Sequence, residues 1–185
     1  MISILDIDKS VTLAINSCHS LFFDNFFYIY TQTWTWIPLI VLMLVWMWRK
    51  WGISSLYVVG GIALCILLSD QISSSLLKPF VARLRPTHNP EISHLIHIVN
   101  GYRGGQYGFV SSHSANAFAF VVFTSCIIRN RYYVLGITIW ALFTAYSRVY
   151  LGVHYVGDVV CGAILGIFVG FVVYRLFLRI KLCST

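Results

Sequence analysis

Residues 159–180 read VVCGAILGIFVGFVVYRLFLRI, an apolar run whose charges, Arg175 and Arg179, both lie near its end. As a helix rising about 1.5 Å per residue, it is long enough to cross a hydrocarbon core roughly 30 Å thick. Working outward, apolar stretches recur at Trp36 to Trp48, Ile53 to Leu68, Ala115 to Ile128 and Tyr132 to Ala145. Several are shorter than the roughly 20 residues a crossing needs, so each must extend into its polar flanks, the second to about Leu77. Trp34 and Trp36 at one end of the first stretch, with Trp46, Trp48 and Trp51 at the other, fit the aromatic belts of a membrane interface. The expected fold is an all-α, polytopic transmembrane bundle of five to six spans.

Composition agrees, since 58% of the 185 residues are hydrophobic and only 10% charged, far from the balance of a water-soluble domain. The net charge of +7 does not point to nucleic acid, because the basic residues are scattered between apolar runs. Cys18, Cys65, Cys126, Cys161 and Cys183 are odd in number and mostly within apolar stretches, so they read as small buried hydrophobes rather than a disulfide or zinc framework. Asp6, Asp8 and Lys9 precede any apolar run, which does not resemble the start of a cleavable signal. Residues 1–33 mix apolar side chains with His19, Asp24 and Asn25 and suit a helical segment lying in the interface, ahead of a membrane bundle over 34–180. No repeat or linker divides the chain, so 1–185 reads as a single domain.

The long polar stretch Lys78 to Ser112 and the shorter Ser147 to Asp158 emerge on one side of a five-span path. Arg49, Lys50, Arg129, Arg131, Arg175, Arg179 and Lys181 lie on the other, which should therefore be cytoplasmic. Three constellations fall on the outer side. Lys78 and, after six residues, Arg85-Pro86 offer an ammonium and a planar guanidinium fork to an anion; the bland alternative is snorkelling beside headgroups. Ser111-Ser112-His113 stands where a glycine-bearing loop meets the third span, whose helix N-terminus presents free N–H groups to phosphate; ordinary N-capping is the alternative. Ser147-Arg148, His154 and Asp158 border the last span. If Gly152 to Gly162 is helical, His154 and Asp158 are i, i+4 neighbours, and the carboxylate orients one ring nitrogen while the other is free to attack. An arginine with an ionisable pair at a span border is costly enough to suggest function over capping.

Together, Lys78-x6-Arg85-Pro86, Ser111-Ser112-His113 and Ser147-Arg148-x5-His154-x3-Asp158 resemble the three-part signature of the type 2 phosphatidic acid phosphatase family, which includes vanadium-dependent haloperoxidases. Order, spacing and placement between spans all agree over Lys78 to Asp158. Val110 stands where that family usually has proline and Ser112 where it usually has glycine, which bears on the loop's shape; serine keeps the backbone N–H unless a positive φ is required.

The resemblance implies a membrane lipid phosphatase with its site at one membrane face. Lys78, Arg85 and Arg148, with Ser111 and the N–H of Ser112, would hold the phosphoryl oxygens. His154 would attack phosphorus, Asp158 would orient it, and His113 would protonate the leaving oxygen and later activate water. Three cations then supply what a divalent metal supplies elsewhere, so no metal or other cofactor is expected. The expected partners are membrane lipids and a phospholipid or isoprenoid-phosphate substrate: undecaprenyl diphosphate, a lipid A phosphate, phosphatidylglycerol phosphate or phosphatidic acid. The implied location is a bacterial inner membrane with the site facing outward. A transporter or assembly subunit binding anionic lipid is the alternative, but transporters place ionisable groups near the midplane. His88, His94 and His97 with Glu91 lack zinc spacing and read as a solvated loop. Asp70 is expected to bond between helices.

Overall fold

The computed structural model describes residues 3–183, with side chains described through Arg179. Among the described residues the α-helices are α1 (Ile4–Ser17), α2 (Leu21–Tyr30), α3 (Ile37–Trp51), α4 (Ser55–Asp70), α5 (Lys78–Val81), α6 (Ser112–Ile128), α7 (Arg131–Tyr150) and α8 (Val156–Cys183). Among the described residues the only strand-like pairing is a single bridge between Leu84 and Tyr107. Thr33–Val81 and Val156–Arg179 are apolar and long enough to cross a membrane; the first is interrupted between α3 and α4 at Gly52, with a φ of 52°. Large apolar side chains such as Leu42, Leu142, Ile164 and Phe168 face outward from the bundle. That inversion suits a lipid solvent, and the chain is an integral membrane protein.

The central contact is α6 against α8, set by small residues. Cβ atoms built at Gly162, Gly166 and Gly170 would lie 2.5, 2.2 and 2.6 Å from the carbonyl oxygens of Ser111, Ala115 and Ala119. Only glycine at this four-residue spacing lets the two backbones approach so closely, the small-residue packing that membrane helices use in place of a hydrophobic driving force. The same register pins the N-terminal ends of both helices together: Ser111 N donates to Asp158 O at 3.0 Å and Ser114 Oγ to Val159 O at 2.8 Å. Against this pair, α4 and α3 contribute Cys65, Val58 and Met47 to a core closed by Phe123 and Val173.

α4 does not stop at Asp70 but continues through a π-helical turn, Gln71–Leu77, into α5, and Ala82 ends it with a left-handed φ of 50°. A π turn re-aims side chains relative to an α-helix and recurs at functional positions; here it precedes Lys78. The two helices α1 and α2, which precede α3, have distinct partners. α2 packs aromatic rings on α7, with Phe27 against Tyr150 at 4.6 Å, and α1 buries Thr12 and Asn16 against the α7–α8 turn. The cysteines differ from expectation: Cys65 alone is buried, Cys126 and Cys161 are half-buried on helix flanks, and Cys18, just past α1, is exposed. The side chain of Cys183 lies outside the described residues.

Candidate active site

The stretch Gly152 to Gly162 is not one helix. α7 runs through Ser147 and Arg148 to Tyr150, a turn follows, and α8 begins only at Val156, so His154 sits in the turn. Its pairing with Asp158 survives because Asp158, in the first turn of α8, reaches back. Asp158 Oδ2 accepts from Tyr155 N at 3.1 Å and lies 3.6 Å from His154 Nδ1, longer than a hydrogen bond. The capping bond is therefore made, while His154 Nδ1 is a near neighbour of the carboxylate without a hydrogen bond to it. The other carboxylate oxygen accepts from Arg83 Nη1 at 2.7 Å.

The segment carrying Arg83 and Arg85 is held against Gln106–Gly108 by Arg85 N to Gln106 O at 3.0 Å and Gly108 N to Arg83 O at 2.8 Å. This pairing brings the Gly108 backbone onto the His–Asp pair. A Cβ there would lie 2.8 Å from Asp158 Oδ2 and 3.6 Å from His154 Nδ1, so a side chain is excluded. Arg85 is anchored by Nε to Tyr107 O at 3.1 Å and Nη1 to Val153 O at 3.3 Å. Arg148, 1% exposed, donates Nη2 to Tyr102 Oη at 2.8 Å. Lys78 Nζ donates to Ser112 Oγ at 2.6 Å and to Ser74 Oγ at 3.2 Å.

His154 is 1% exposed. Burial, and then the charges of Arg85, Arg148 and Lys78, hold its pKa well below the ordinary histidine range, so the ring is neutral around pH 7 with a nitrogen lone pair available. His113, the second residue of α6, is exposed and within electrostatic reach of Arg148, His154, Arg85 and Lys78. Ser111 caps α6 with no side-chain hydrogen bond; its buried Oγ, like the buried Arg148 Nε, finds no partner among the described residues. Buried polar atoms without partners cost free energy that an anion accepting from them would recover. Ser112 adopts helical backbone and needs no positive φ, so serine is tolerated at the motif's glycine position. All eight residues singled out in the sequence therefore lie around one site.

Other residues depart from expectation. Asp70 bonds within its own helix, accepting from Ser74 Oγ at 3.2 Å, and it is Ser74 that crosses to Ser112 Oγ at 2.9 Å. His88 meets Thr87, Glu91 pairs with Lys9, and His97 joins Asp24 and His19 instead. His97 Nε2 is 2.8 Å from Asp24 Oδ2, while the His19 and His97 rings stack at 3.7 Å and 8°. Parallel rings aim their lone pairs in parallel planes rather than at one point about 2.0–2.1 Å away, so this trio suits a hydrogen-bonded, stacked latch better than a zinc site. Three participants were not singled out as site residues: Arg83, whose place two residues before Arg85 was a usable signal, and Asp8 and Tyr102, which carried none.

The PAP2 superfamily profile matches residues 55–181, which includes all three constellations. The chain is 44% identical over 173 residues to the lipid A 4'-phosphatase of Bacteroides thetaiotaomicron, covering 91% of this chain and 76% of that protein. It is 39% identical over 178 residues to the protein of the same name from Porphyromonas gingivalis, covering 95% and 75%. Its fold matches the crystal structure of the first transmembrane PAP2-type phosphatidylglycerolphosphate phosphatase from Bacillus subtilis, with a TM-score of 0.70 at 23% identity over 96% of this chain and 87% of that one. With the family model spanning residues 55–181 and relatives at 39% and 44% identity over most of the chain, the chain belongs to the PAP2 superfamily of membrane phosphatases.

Proposed function

We propose that this phosphatase removes a phosphate monoester from lipid A or a closely similar glycolipid, at the outer face of a bacterial inner membrane, through a phosphohistidine on His154. The observation that carries the reading is a buried, neutral His154 surrounded by Lys78, Arg85 and Arg148, beside two buried donors, Ser111 Oγ and Arg148 Nε, with no protein partner. The lipid A assignment rests on the names of the relatives at 39% and 44% identity.

In this mechanism the phosphoryl oxygens accept from Arg85, Arg148, Lys78, Ser111 and the first N–H groups of α6, which also directs the positive end of its dipole at them. A free ring nitrogen of His154 forms the N–P bond as the bond from phosphorus to the lipid oxygen breaks, and His113 protonates the departing oxygen. Water then gives a proton to His113 and attacks phosphorus, the N–P bond breaks, and inorganic phosphate leaves with His154 restored. The exposure of His113 gives it access to leaving group and water in turn.

The outward orientation rests on the basic residues at the far end of the bundle, where Arg129 at the end of α6 donates to Tyr174 Oη at 3.0 Å and Lys50 lies 4.9 Å over Trp46. The reading takes five crossings, α3, α4 with its extension, α6, α7 and α8, which would leave the site opposite that end, with α1 and α2 along the outer interface. Phosphate release by the purified protein in detergent, with excess EDTA, tests the reading across lipid A, undecaprenyl diphosphate, phosphatidylglycerol phosphate and phosphatidic acid. Lipid A is expected to turn over fastest and chelator to have no effect. Faster turnover of another lipid would reassign the substrate, and loss of activity restored by magnesium would remove the metal-free mechanism. Cysteines placed singly at Asn100 and Asn130 in a cysteine-free variant test the topology: only the first should react with an impermeant reagent in intact cells.

A further inference from the structure

Asp158 is fully buried, yet its nearest cation is not His154 but Arg83, at 2.7 Å. A guanidinium that close favours the ionised carboxylate against the burial that opposes it, and offsets the charge that carboxylate could offer to an imidazolium. The other arm of the same guanidinium, Nη2, is 2.7 Å from Asp8 Oδ2 in α1. Asp8–Arg83–Asp158 is therefore a triad with a net charge of −1, where Arg83–Asp158 alone would be neutral. Its geometry is closely fixed. Arg83 lies 3.9 Å over the Tyr155 ring, Tyr155 Oη accepts from Asn89 at 2.9 Å, and Asp8 Oδ1 accepts from Gly157 N at 2.9 Å. A Cβ at Gly157 would come within 2.8 Å of Asp8 Oδ2, so the close approach depends on glycine there. α1 is fastened beside it by Thr12 Oγ1, which accepts from Val156 N at 3.2 Å, and by Asn16, which brackets the His97 backbone and donates to Tyr150 O at 2.7 Å.

We propose that Asp8 is a positioning residue of the site: through Arg83 it sets the orientation and effective charge of the Asp158 carboxylate facing His154, which makes α1 part of the catalytic unit. Three cations, Lys78, Arg85 and Arg148, act on His154, and His113 faces it from α6. The Asp8–Arg83–Asp158 triad is the negative counterweight. It stabilises the positive charge that His154 acquires as its nitrogen bonds to phosphorus. The inference rests on His154 as nucleophile.

The test uses the full-length protein in detergent, with two readouts: the acid limb of the kcat/KM profile, and direct NMR titration of His154 in protein labelled at histidine. Asp8→Asn removes a negative charge and disfavours the imidazolium, so His154 should titrate at lower pH and the acid limb move down, by about 0.5 to 1 unit. kcat should fall about 10-fold with little change in KM, because Asp8 touches no phosphate ligand. Arg83→Gln removes a positive charge and should move both readouts the opposite way, whereas Arg83→Lys keeps the charge but not the two-armed bridge, so it should lower kcat with a smaller displacement of the titration. The double variant Asp8→Asn/Arg83→Gln removes one charge of each sign and should return His154 toward its original titration. A role limited to holding α1 in place predicts lower melting temperatures with no displacement of the His154 titration in any variant, and that result overturns the proposal. Turnover surviving in His154→Ala would instead remove the nucleophile assignment, while the NMR titrations would still report the coupling from Asp8.

Discussion

Two helix N-termini meet at this site, those of α6 and α8, and the chain treats them in opposite ways. Both present backbone N–H groups that lack partners within the helix, and both carry the positive end of a helix dipole. At α8 these groups are taken up by the protein: Tyr155 N by Asp158, Val156 N by Thr12 and Gly157 N by Asp8. At α6 the capping Ser111 makes no side-chain hydrogen bond, and its hydroxyl is buried without a partner. One terminus is closed by protein groups and the other has an unpartnered cap, which under the proposed mechanism would orient the phosphate toward α6 and leave α8 to support the nucleophile.

The largest expected effect removes what both termini serve. His154→Ala should lower single-turnover phosphate release by at least about 10⁴-fold for every lipid and abolish acid-labile phosphate on the protein. Substantial residual turnover would end the phosphohistidine mechanism. Next, His113→Ala probes the open terminus. A monoester must expel an alkoxide while a diphosphate expels a stabilised phosphate, so a lipid monophosphate should slow by about 10²- to 10⁴-fold and a diphosphate with the same tail much less. Equal slowing of the chemical step would contradict His113 as leaving-group acid.

Ser111→Ala sharpens the contrast itself. It deletes a buried hydroxyl without a partner, so the melting temperature should hold or rise, while losing a hydrogen bond to charged phosphate should cost about 10- to 100-fold in kcat/KM. A variant that is less stable and fully active would mean Ser111 is only a cap. Thr12→Val addresses the closed terminus and should do the reverse. It leaves Val156 N without its acceptor, costing about 0.5–2 kcal/mol of stability as a lost cap does, with turnover per folded molecule near wild type. Thermal unfolding in detergent, paired with activity on the same preparation, separates the two.

The sequence by itself determined the membrane bundle and the eight residues now found around the site. A run such as Val159–Ile180 has few stable fates outside a bilayer, because its burial needs an apolar solvent and its backbone needs internal hydrogen bonds. The three motifs are local, and spacings of three to six residues survive whatever the chain does elsewhere. Even there, the helical assumption over Gly152 to Gly162 was wrong, and His154 and Asp158 are neighbours at 3.6 Å across a turn rather than along a helix. Tertiary structure decided what depends on distant segments. Asp8 and Arg83 are 75 residues apart, and nothing local to either announces the other. Ser111 and Asp158 are brought together by the glycine spacing of α8, visible as Gly162, Gly166 and Gly170 but informative only once Ala115 and Ala119 are known to lie opposite. How the α8 terminus is closed was likewise beyond the sequence, because an N–H group's partner is chosen by packing: α1 docks on α7 and α8, and its Asp8 and Thr12 take up the first N–H groups of α8.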